Sequence, residues 1–255
     1  MSRRLVELSG PAVSSRLTED SVLVLPTGAV EHHGAHLPLA TDAIMAEEVG
    51  GAVVERAVAT GVDAWVLPTL TYTKSDEHHW APGTMWLRAE TLMETLVDLG
   101  NSLTSTPAKK LVFFNGHGGN TALLQVAMRE LRRRFGLETF FTSVRAPVKD
   151  DAAVDEQGFG IHGGHSETSL MMHLRPDLVD LTQARRAVPE KLLRTPMIGF
   201  HSTPVTFGWL SNDFGPEGII GDPTGANAAH GAELYEAAVA QGAEALGQVA
   251  QFCRR

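Results

Sequence analysis

The chain is short of the residues that mark several protein classes. Cys253 is the only cysteine among 255 residues, which excludes a disulfide framework and argues against a cysteine ligand or nucleophile. No apolar run approaches the roughly 18 residues that a membrane helix needs. Basic residues number 21 against 30 acidic ones, for a formal net charge of -9, so we expect no nucleic-acid partner. These shortages predict a soluble cytoplasmic protein without membrane contact.

Apolar content sets the size of the core that the chain can build. Hydrophobic residues make up 43% of the sequence, which is enough to bury a full core. No internal repeat, low-complexity tract or long linker divides the chain, so residues 1–255 are expected to form one domain. The single dense basic run, Arg132 to Arg134, falls near the end of a predicted helix, where cations complement the helix dipole.

Short apolar runs of strand type alternate with longer segments of helical periodicity. The predicted strands are 21–26, 64–68, 110–115 and 138–144. The predicted helices are 42–59, 89–104, 120–135, 166–174 and 227–252. This order predicts an α/β fold with a parallel sheet and helices on both faces. Two segments rich in Gly, Pro and polar residues, about 147–164 and 189–225, are predicted to be long functional loops.

The densest group of metal-ligating side chains follows the first predicted strand. Glu31, His33 and Asp42 lie within the segment 31–42. In an extended chain the i, i+2 spacing turns Glu31 and His33 to the same side. Open parallel sheets bind ligands at the carboxyl ends of their strands. Mixed nitrogen and oxygen donors suit Zn, Mn or Fe(II) better than Ca or Mg, so the segment predicts half of a metal site.

Two later glycine-rich turns carry further candidate ligands. His117 follows the strand 110–115, and the glycines beside it allow a sharp turn before Asn120, which is predicted to cap the next helix. Such glycines also bind phosphate, but no P-loop lysine follows and the dinucleotide spacing is absent, so a metal is favoured. His162 and Glu167 share the third turn, although a helix dipole favours a carboxylate there even without a ligand. Together, three segments of this kind predict one composite site.

In this order the three motifs resemble those of the creatininase (creatinine amidohydrolase) family. They are Glu-x-His-Gly-x-His-Leu-Pro with Thr-Asp, then Asn-Gly-His-Gly-Gly-Asn, then His-Gly-Gly-x-x-Glu-Thr-Ser. The likeness extends over about residues 22–233. It implies a three-layer α/β/α sandwich, two divalent metal ions per chain (zinc with manganese or iron) and a homohexamer. Family members hydrolyse small cyclic amides or formamides, and one branch, the mycofactocin-system peptidase, trims a modified peptide.

The resemblance also implies the metal ligands. These are Glu31 and His117 at one metal, His33 and Glu167 at the other, and Asp42 bridging the two. Creatininase itself has a glutamate two residues after the histidine of its Asn-Gly-His motif, where this chain has Gly119. Other branches use the glutamate of the Glu-Thr-Ser motif, and this is the reason that Glu167 is assigned as the remaining ligand.

Catalytic and substrate-contacting residues follow from the same resemblance. His162 matches the family's catalytic histidine, and a neutral-range pKa would suit it to protonate the leaving nitrogen; Glu167 is counted with it as catalytic. The implied substrate contacts are Ser75, His78, Gly118 and His165. The acidic loop around His78 is about equally well interpreted as a solvated loop. Creatininase has tryptophans before its third motif, where this chain has Gly-Phe-Gly-Ile.

Other histidines and the tryptophans have simpler interpretations. His32 should point away from the ligands, and His36 is predicted to support them through hydrogen bonds. Trp80, Trp86 and Trp209 are candidates for a pocket wall or an oligomer interface, with ordinary apolar packing as the default.

The leading hypothesis is an amidohydrolase that attacks a small amide substrate with a hydroxide activated by two metals. A mycofactocin-type metallopeptidase is the nearest alternative, because it shares Asn-Gly-His-Gly-Gly-Asn and the Gly-Asp-Pro-Thr turn. A serine hydrolase is disfavoured because no Gly-x-Ser-x-Gly elbow occurs. A non-catalytic ligand-binding protein is the third class, and the complete ligand set argues against it. Creatinine, another cyclic amide, a formamide and a peptide all remain open as substrates.

Overall fold

The computed structural model describes residues 2–145, 156–200 and 203–252. Cys253 and positions 147–155 of the first predicted loop lie outside these ranges. The helices are α1 (Gly10–Arg16), α2 (Thr41–Ala59), α3 (Ala89–Leu103), α4 (Thr121–Phe135), α5 (His165–Leu174) and α6 (Ala228–Gln251). The strands are β1 (Val22–Thr27), β2 (Ala64–Val66), β3 (Lys110–Asn115), β4 (Glu138–Ser143), β5 (Ile198–Gly199) and β6 (Val205–Thr206). Short 3-10 turns connect them, at Leu5–Glu7, Asp76–His78, Gly118–Asn120, Pro176–Leu178, Leu181–Gln183, Glu190–Arg194, Ser211–Phe214 and Pro223–Gly225.

The central sheet is parallel and has the strand order β2-β1-β3-β4. In its middle, Val22 of β1 lies opposite Ala64 of β2 and Lys110 of β3. Both β1 and β3 are buried along their whole length, as expected for central strands that are covered on both faces. This burial explains why the sequence shows continuous apolar runs there rather than alternation.

Alternate side chains of the central strands pack into two separate hydrophobic cores, one on each face of the sheet. Val22 and Val24 pack with α2, α5 and α6 on one face, whereas Leu23 and Leu25 pack with α3 and α4 on the other. The period-2 geometry of a strand produces this division. The structure therefore confirms the expected three-layer α/β/α sandwich with a parallel sheet.

The chain places β2 on one side of β1 and then β3 and β4 on the other side, and this change of direction determines where a ligand-binding site can form. The chain leaves β1 through α2 on one face to reach β2, and then returns through α3 on the other face to reach β3. The two connections diverge and leave a crevice outside the carboxyl ends of β1 and β3, where open α/β sheets bind ligands. The motifs around Glu31 and His117 open directly onto this crevice.

Predicted and observed elements differ in a few places. The short helix α1 was not predicted; it begins after Ser9, whose side chain accepts from the amide of Ala12 at 3.4 Å. Asn120 occupies the predicted N-cap position of α4. Its side chain makes no cap bond and instead donates to the carbonyl of Gly28 at 3.0 Å, because the turn at residues 118–120 directs it toward β1. No helix in the described ranges is long and apolar enough to cross a membrane.

Candidate metal centre

Two elements bring the first motif together outside β1. Glu31 and His33 lie in the loop that follows the strand, and Asp42 lies in the first turn of α2. All three residues are at most 2% exposed. His33 Nε2 is 3.2 Å from Asp42 Oδ1 and 4.0 Å from Glu31 Oε1. The expected pairing of Glu31 and His33 on one side is thus present, and α2 adds Asp42 to it.

Two glycines allow α2 to begin this close to the sheet. A Cβ at Gly28 would lie 2.4 Å from the Cα of Ala43, and one at Gly116 would lie 2.7 Å from the carbonyl oxygen of Asp42. Neither neighbour is a flexible side chain, so a larger residue would push the start of the helix outward. These glycines hold Asp42 beside the end of β3.

His117 completes the cluster from the end of β3. Its Nδ1 lies 3.0 Å from Asp42 Oδ2 and 3.2 Å from Glu31 Oε1. Its Nε2 donates to the backbone carbonyl of Lys74 at 2.6 Å, which leaves Nδ1 on the side of the two carboxylates, where it can bind a metal once it is deprotonated. A histidine held in this way by a backbone acceptor is typical of metal ligands.

The buried polar atoms of the cluster fit a bound cation. Both carboxylate oxygens of Glu31, Nε2 of His33 and Oδ2 of Asp42 have no hydrogen-bond partner among the described residues. Leaving buried polar atoms unpaired is costly. Asp42 directs Oδ1 toward His33 and Oδ2 toward His117, which is the arrangement a bridging carboxylate requires. Three groups have donor atoms close enough to share an ion: Glu31, Asp42 and His117; Glu31, His33 and His162; and Glu31, Glu77 and His78.

The charged and polar groups of the cluster shift one another's pKa values strongly. Burial opposes a charge on His117, but Glu31 and Asp42 outweigh it and hold the pKa of His117 well above its usual value. Burial likewise opposes a charge on His33, and Asp42 raises the pKa of that imidazole to about 9. Burial raises the pKa of Glu31 to about 7, with His117 opposing this shift and Asp42 adding to it. A metal must therefore displace protons, and metal affinity should rise with pH.

Glu167 stands at the edge of this cluster, in the first turn of α5. Its Oε2 accepts from the amide of Gly163 at 2.7 Å and lies 3.9 Å from His33 Nε2. Its Oε1 accepts from the guanidinium of Arg145 at 2.6 Å. Both oxygens are thus engaged, with Oε2 on the side of His33.

His162 lies directly over the cluster. Its Nε2 donates to the backbone carbonyl of His32 at 2.7 Å, which leaves Nδ1 facing Glu31 Oε1 at 3.6 Å. Its ring stacks between those of His33 and His78, with centroids 4.3 and 4.1 Å away. The neutral-range pKa expected for it is not found. Burial first, and then repulsion from His33 and His78, lower the pKa of His162 well below its usual value.

The predicted substrate contacts divide into two groups. His78 and Gly118 line the main cavity at the cluster, and Ser75, next to this cavity wall, has a buried hydroxyl with no hydrogen-bond partner among the described residues. His165 is not among the residues that line this cavity. Its Nε2 bonds to the carbonyl of Gly225 at 3.2 Å and its ring stacks on that of His230, because it is the first residue of α5 and turns toward α6.

A cavity of about 540 Å³ opens onto the cluster. Its polar lining includes Lys74, Asp76, Glu77 and His78, and its apolar lining includes Ile161, Phe207, Trp209 and Leu210. Trp209 therefore walls a pocket, one of the two roles considered for it. The aromatic wall belongs to the second predicted loop and has no motif of its own in the sequence.

Two residues of the site were not predicted. Glu77, known from the sequence only as part of an acidic loop, lies 3.5 Å from His117 Nε2, and a Cβ at Gly119 would lie 2.2 Å from Glu77 Oε1. The carboxylate of Glu77 thus occupies the space that a side chain at position 119 would enter. Arg145 contacts Glu167 but follows β4 without any recognisable motif.

The two histidines beside the ligands, His32 and His36, bond to residues other than the candidate ligands. His36 is 2% exposed, and its Nε2 lies 3.2 Å from the carbonyl oxygen of Gly163 and 3.0 Å from Thr168 Oγ1. It thereby ties the first motif to the third. His32 turns away, and its Nε2 bonds to the carbonyl of Glu217 at 2.8 Å.

An α/β/α sandwich with this cluster outside the carboxyl ends of β1 and β3 places the chain among α/β proteins with a candidate metal site. Comparison with known proteins gives the family. Residues 6–246 match the family model for creatininase, described as creatinine amidohydrolase. A mycofactocin precursor peptide peptidase of Mycobacterium ulcerans (strain Agy99) is 35% identical over 234 residues, covering 89% of this chain and 85% of that protein.

Two further similarities agree with this match. A creatinine amidohydrolase of Pseudomonas putida is 38% identical over 181 residues, covering 64% of this chain and 67% of that protein. A solved structure described as "Creatininase Mn" superposes with a TM-score of 0.77 at 30% identity, covering 97% of this chain and 98% of that one. The chain belongs to the creatininase family. The predictions of this family and of a hydrolase acting on carbon-nitrogen amide bonds are confirmed.

Proposed function

We propose that this chain is a binuclear metal-dependent amidohydrolase. The observation that carries the proposal is the set of buried, unpartnered donor atoms around Asp42, whose two oxygens face His33 and His117 on opposite sides. Glu31 and His117 would hold one metal, His33 and Glu167 the other, and Asp42 both. Zinc with manganese or iron is the pair proposed, since imidazole and carboxylate donors accept these ions.

The bound metals would supply two things, a water molecule whose pKa is lowered toward neutrality and polarisation of the amide carbonyl. The protein's own contribution to the reaction is the handling of protons. His162 keeps Nε2–H on the carbonyl of His32 and presents Nδ1 to the site. Nδ1 would take up the proton that the attacking water releases and pass it to the leaving amide nitrogen. Because burial lowers the pKa of His162, the protonated ring gives up this proton readily.

The cavity allows two classes of substrate. A small cyclic amide or a formamide is the first candidate, in line with the family's creatinine amidohydrolase branch. A peptide is the second candidate, favoured by the volume of about 540 Å³, which is typical of pockets for drug-sized ligands. The mycofactocin peptidase relative, similar over most of the chain, supports the same alternative.

Metal content tests the proposal first. Protein purified without chelator should contain about two metal ions per chain, and Asp42→Ala should lose most of both. The matched control is Asp98→Ala on α3, which removes an exposed carboxylate far from the cluster. Little or no metal in folded wild-type protein, even after reconstitution, would refute the binuclear centre.

Substrate class needs a second experiment. Metal-loaded protein is offered creatinine, other lactams, formamides and short peptides, with Asp42→Ala as the inactive reference. Turnover of the small amides supports the first candidate, and cleavage of peptides without turnover of the small amides supports the second. Full metal occupancy with no hydrolysis anywhere in the panel would instead favour a ligand-binding protein.

We also propose a homo-oligomer, hexameric by family resemblance. Several apolar side chains of the second loop are between 37% and 59% exposed: Leu193, Met197, Ile198, Val205 and Leu210. Exposed apolar side chains that cluster in one segment favour a contact with another molecule. Sedimentation velocity at micromolar concentration should show an assembly, and a monomer there would refute it.

A further inference from the structure

Arg145 links three parts of the site that are distant in sequence. It follows β4 directly, and its Nη2 donates to Glu167 Oε1 at 2.6 Å and to the backbone carbonyl of Ile161 at 3.0 Å. Ile161 precedes His162. One guanidinium nitrogen thus connects the end of the fourth strand, the segment carrying the candidate proton shuttle and the candidate ligand of the second metal.

These contacts determine which oxygen of Glu167 is available. Oε1 is held by Arg145, and Oε2 lies on the side of His33, 3.9 Å from its Nε2. The amide of Gly163 donates to Oε2 and sets the plane of the carboxylate from the other side. With both donors in place, the carboxylate can turn only Oε2 toward the cluster.

The choice of arginine suits this task. A guanidinium stays protonated at every relevant pH and donates in fixed directions, so Arg145 always presents a positive charge to Glu167. Glu167 is 11% exposed at its side chain. Without Arg145, this nearly buried carboxylate would lose its cationic partner and its fixed orientation at the same time.

We propose that Arg145 is a positioning residue that orients Glu167 toward the second metal and holds the segment before His162 against it. This inference rests on the proposed binuclear function. Hydrogen-bond partners of metal-binding side chains typically contribute a factor of about 10 to 100 in metal affinity. Loss of Arg145 should therefore weaken one of the two metals and leave the other unchanged.

The test measures stepwise metal affinity by competition with a chelator. The first variant is Arg145→Met, and Arg145→Lys is expected to restore part of the lost affinity because it keeps a cation. The control is Arg56→Met, which removes an arginine of similar reach that pairs with Glu236 at 2.6 and 3.0 Å on the surface. Arg145→Met should bind the weaker metal about 10- to 100-fold less tightly, and the control should bind both as wild type does.

A double variant separates positioning from a general structural role. If Arg145 acts through Glu167, adding Arg145→Met to Glu167→Gln should not weaken the second metal further. A further, independent loss in the double variant would refute the positioning role, as would wild-type affinity for both metals in Arg145→Met. Wild-type protein that binds no metal would instead refute the proposed function, and the inference with it. If Arg145→Met fails to fold, the affinity for the second metal is compared instead between Arg145→Lys, Glu167→Gln and the double variant of these two, and the same outcomes support or refute the positioning role.

Discussion

The strongest quantitative prediction concerns His36, which joins the first motif to the third. The imidazole is 2% exposed and lies against the carbonyl oxygen of Gly163 and the hydroxyl of Thr168. Burial lowers the pKa of His36 to about 4, from an ordinary value of 6.5. The folded chain therefore keeps this ring neutral, whereas the unfolded chain protonates it in mildly acidic solution.

The sign and size of the effect follow from linkage. Because the unfolded state binds more protons below pH 6.5, the free energy of unfolding falls as the pH falls. The contribution of His36 is complete above pH 6.5 and is lost on the way down to about pH 4. A shift of this size corresponds to about 3 kcal/mol, most of which should disappear between about pH 7.5 and 4.5.

The assay is urea unfolding of wild-type protein and His36→Gln across this pH range. Chelator is present, and the protein concentration is constant so that metal binding and assembly do not contribute. His36→Gln cannot take up the proton, so its stability should fall by about 2 to 3 kcal/mol less than that of wild type. The control is His173→Gln, at an exposed position on α5, which should follow wild type. Equal pH dependence in wild type and His36→Gln would refute the reasoning.

Three further predictions address the site and its surroundings. His162→Ala should keep both metals and lose a factor of about 10² to 10⁴ in kcat. Elemental analysis checks the metal content, because His162 lies close enough to Glu31 and His33 to share an ion with them. Equal loss of metal and activity would make His162 a ligand instead. Gly28→Ala, with its Cβ 2.4 Å from the backbone of Ala43, should lower the free energy of unfolding by about 1 to 3 kcal/mol and weaken metal binding. Its control, Gly51→Ala in α2, meets nothing within 4 Å and should instead stabilise by about 0.5 to 1 kcal/mol in denaturant titrations. Trp209→Ala should raise KM for the preferred substrate more than it lowers kcat, since the indole forms part of the cavity wall and touches no ligand; steady-state kinetics that show only a fall in kcat would contradict this role.

The central strands and the long helices were predictable because the sequence patterns that indicate them involve only neighbouring residues. Continuous apolar runs predicted β1 and β3 to within one residue, since strands covered on both faces have no polar side. The short helix α1 was missed because it is only seven residues long and buries no residue of its own. The two-residue strands β5 and β6 were missed for a similar reason, since a pair so short leaves no periodicity in the sequence.

At several positions of the site, long-range contacts override local preference. Asn120 has the right residue type for a helix cap, but its amide instead reaches the carbonyl of Gly28 and joins two strand ends. His165 lies in a motif rich in functional residues, yet the start of α5 turns it toward His230. A histidine expected to titrate near neutrality, His162, is so buried that its pKa falls well below that range.

By itself, the sequence determined the fold class and the identity of the donor atoms. These features are properties of neighbouring residues: strand-type runs, helical periodicity and the order of three His-containing turns. They can be recognised in the sequence without the tertiary structure. Only the tertiary structure decided which atoms meet. The reversal of strand order between β1 and β3, and the close approach of α2 at Gly116, place the two oxygens of Asp42 toward different histidines. Arg145 and Glu77 reach the site only through folding, because a contact between distant residues leaves no local pattern in one chain.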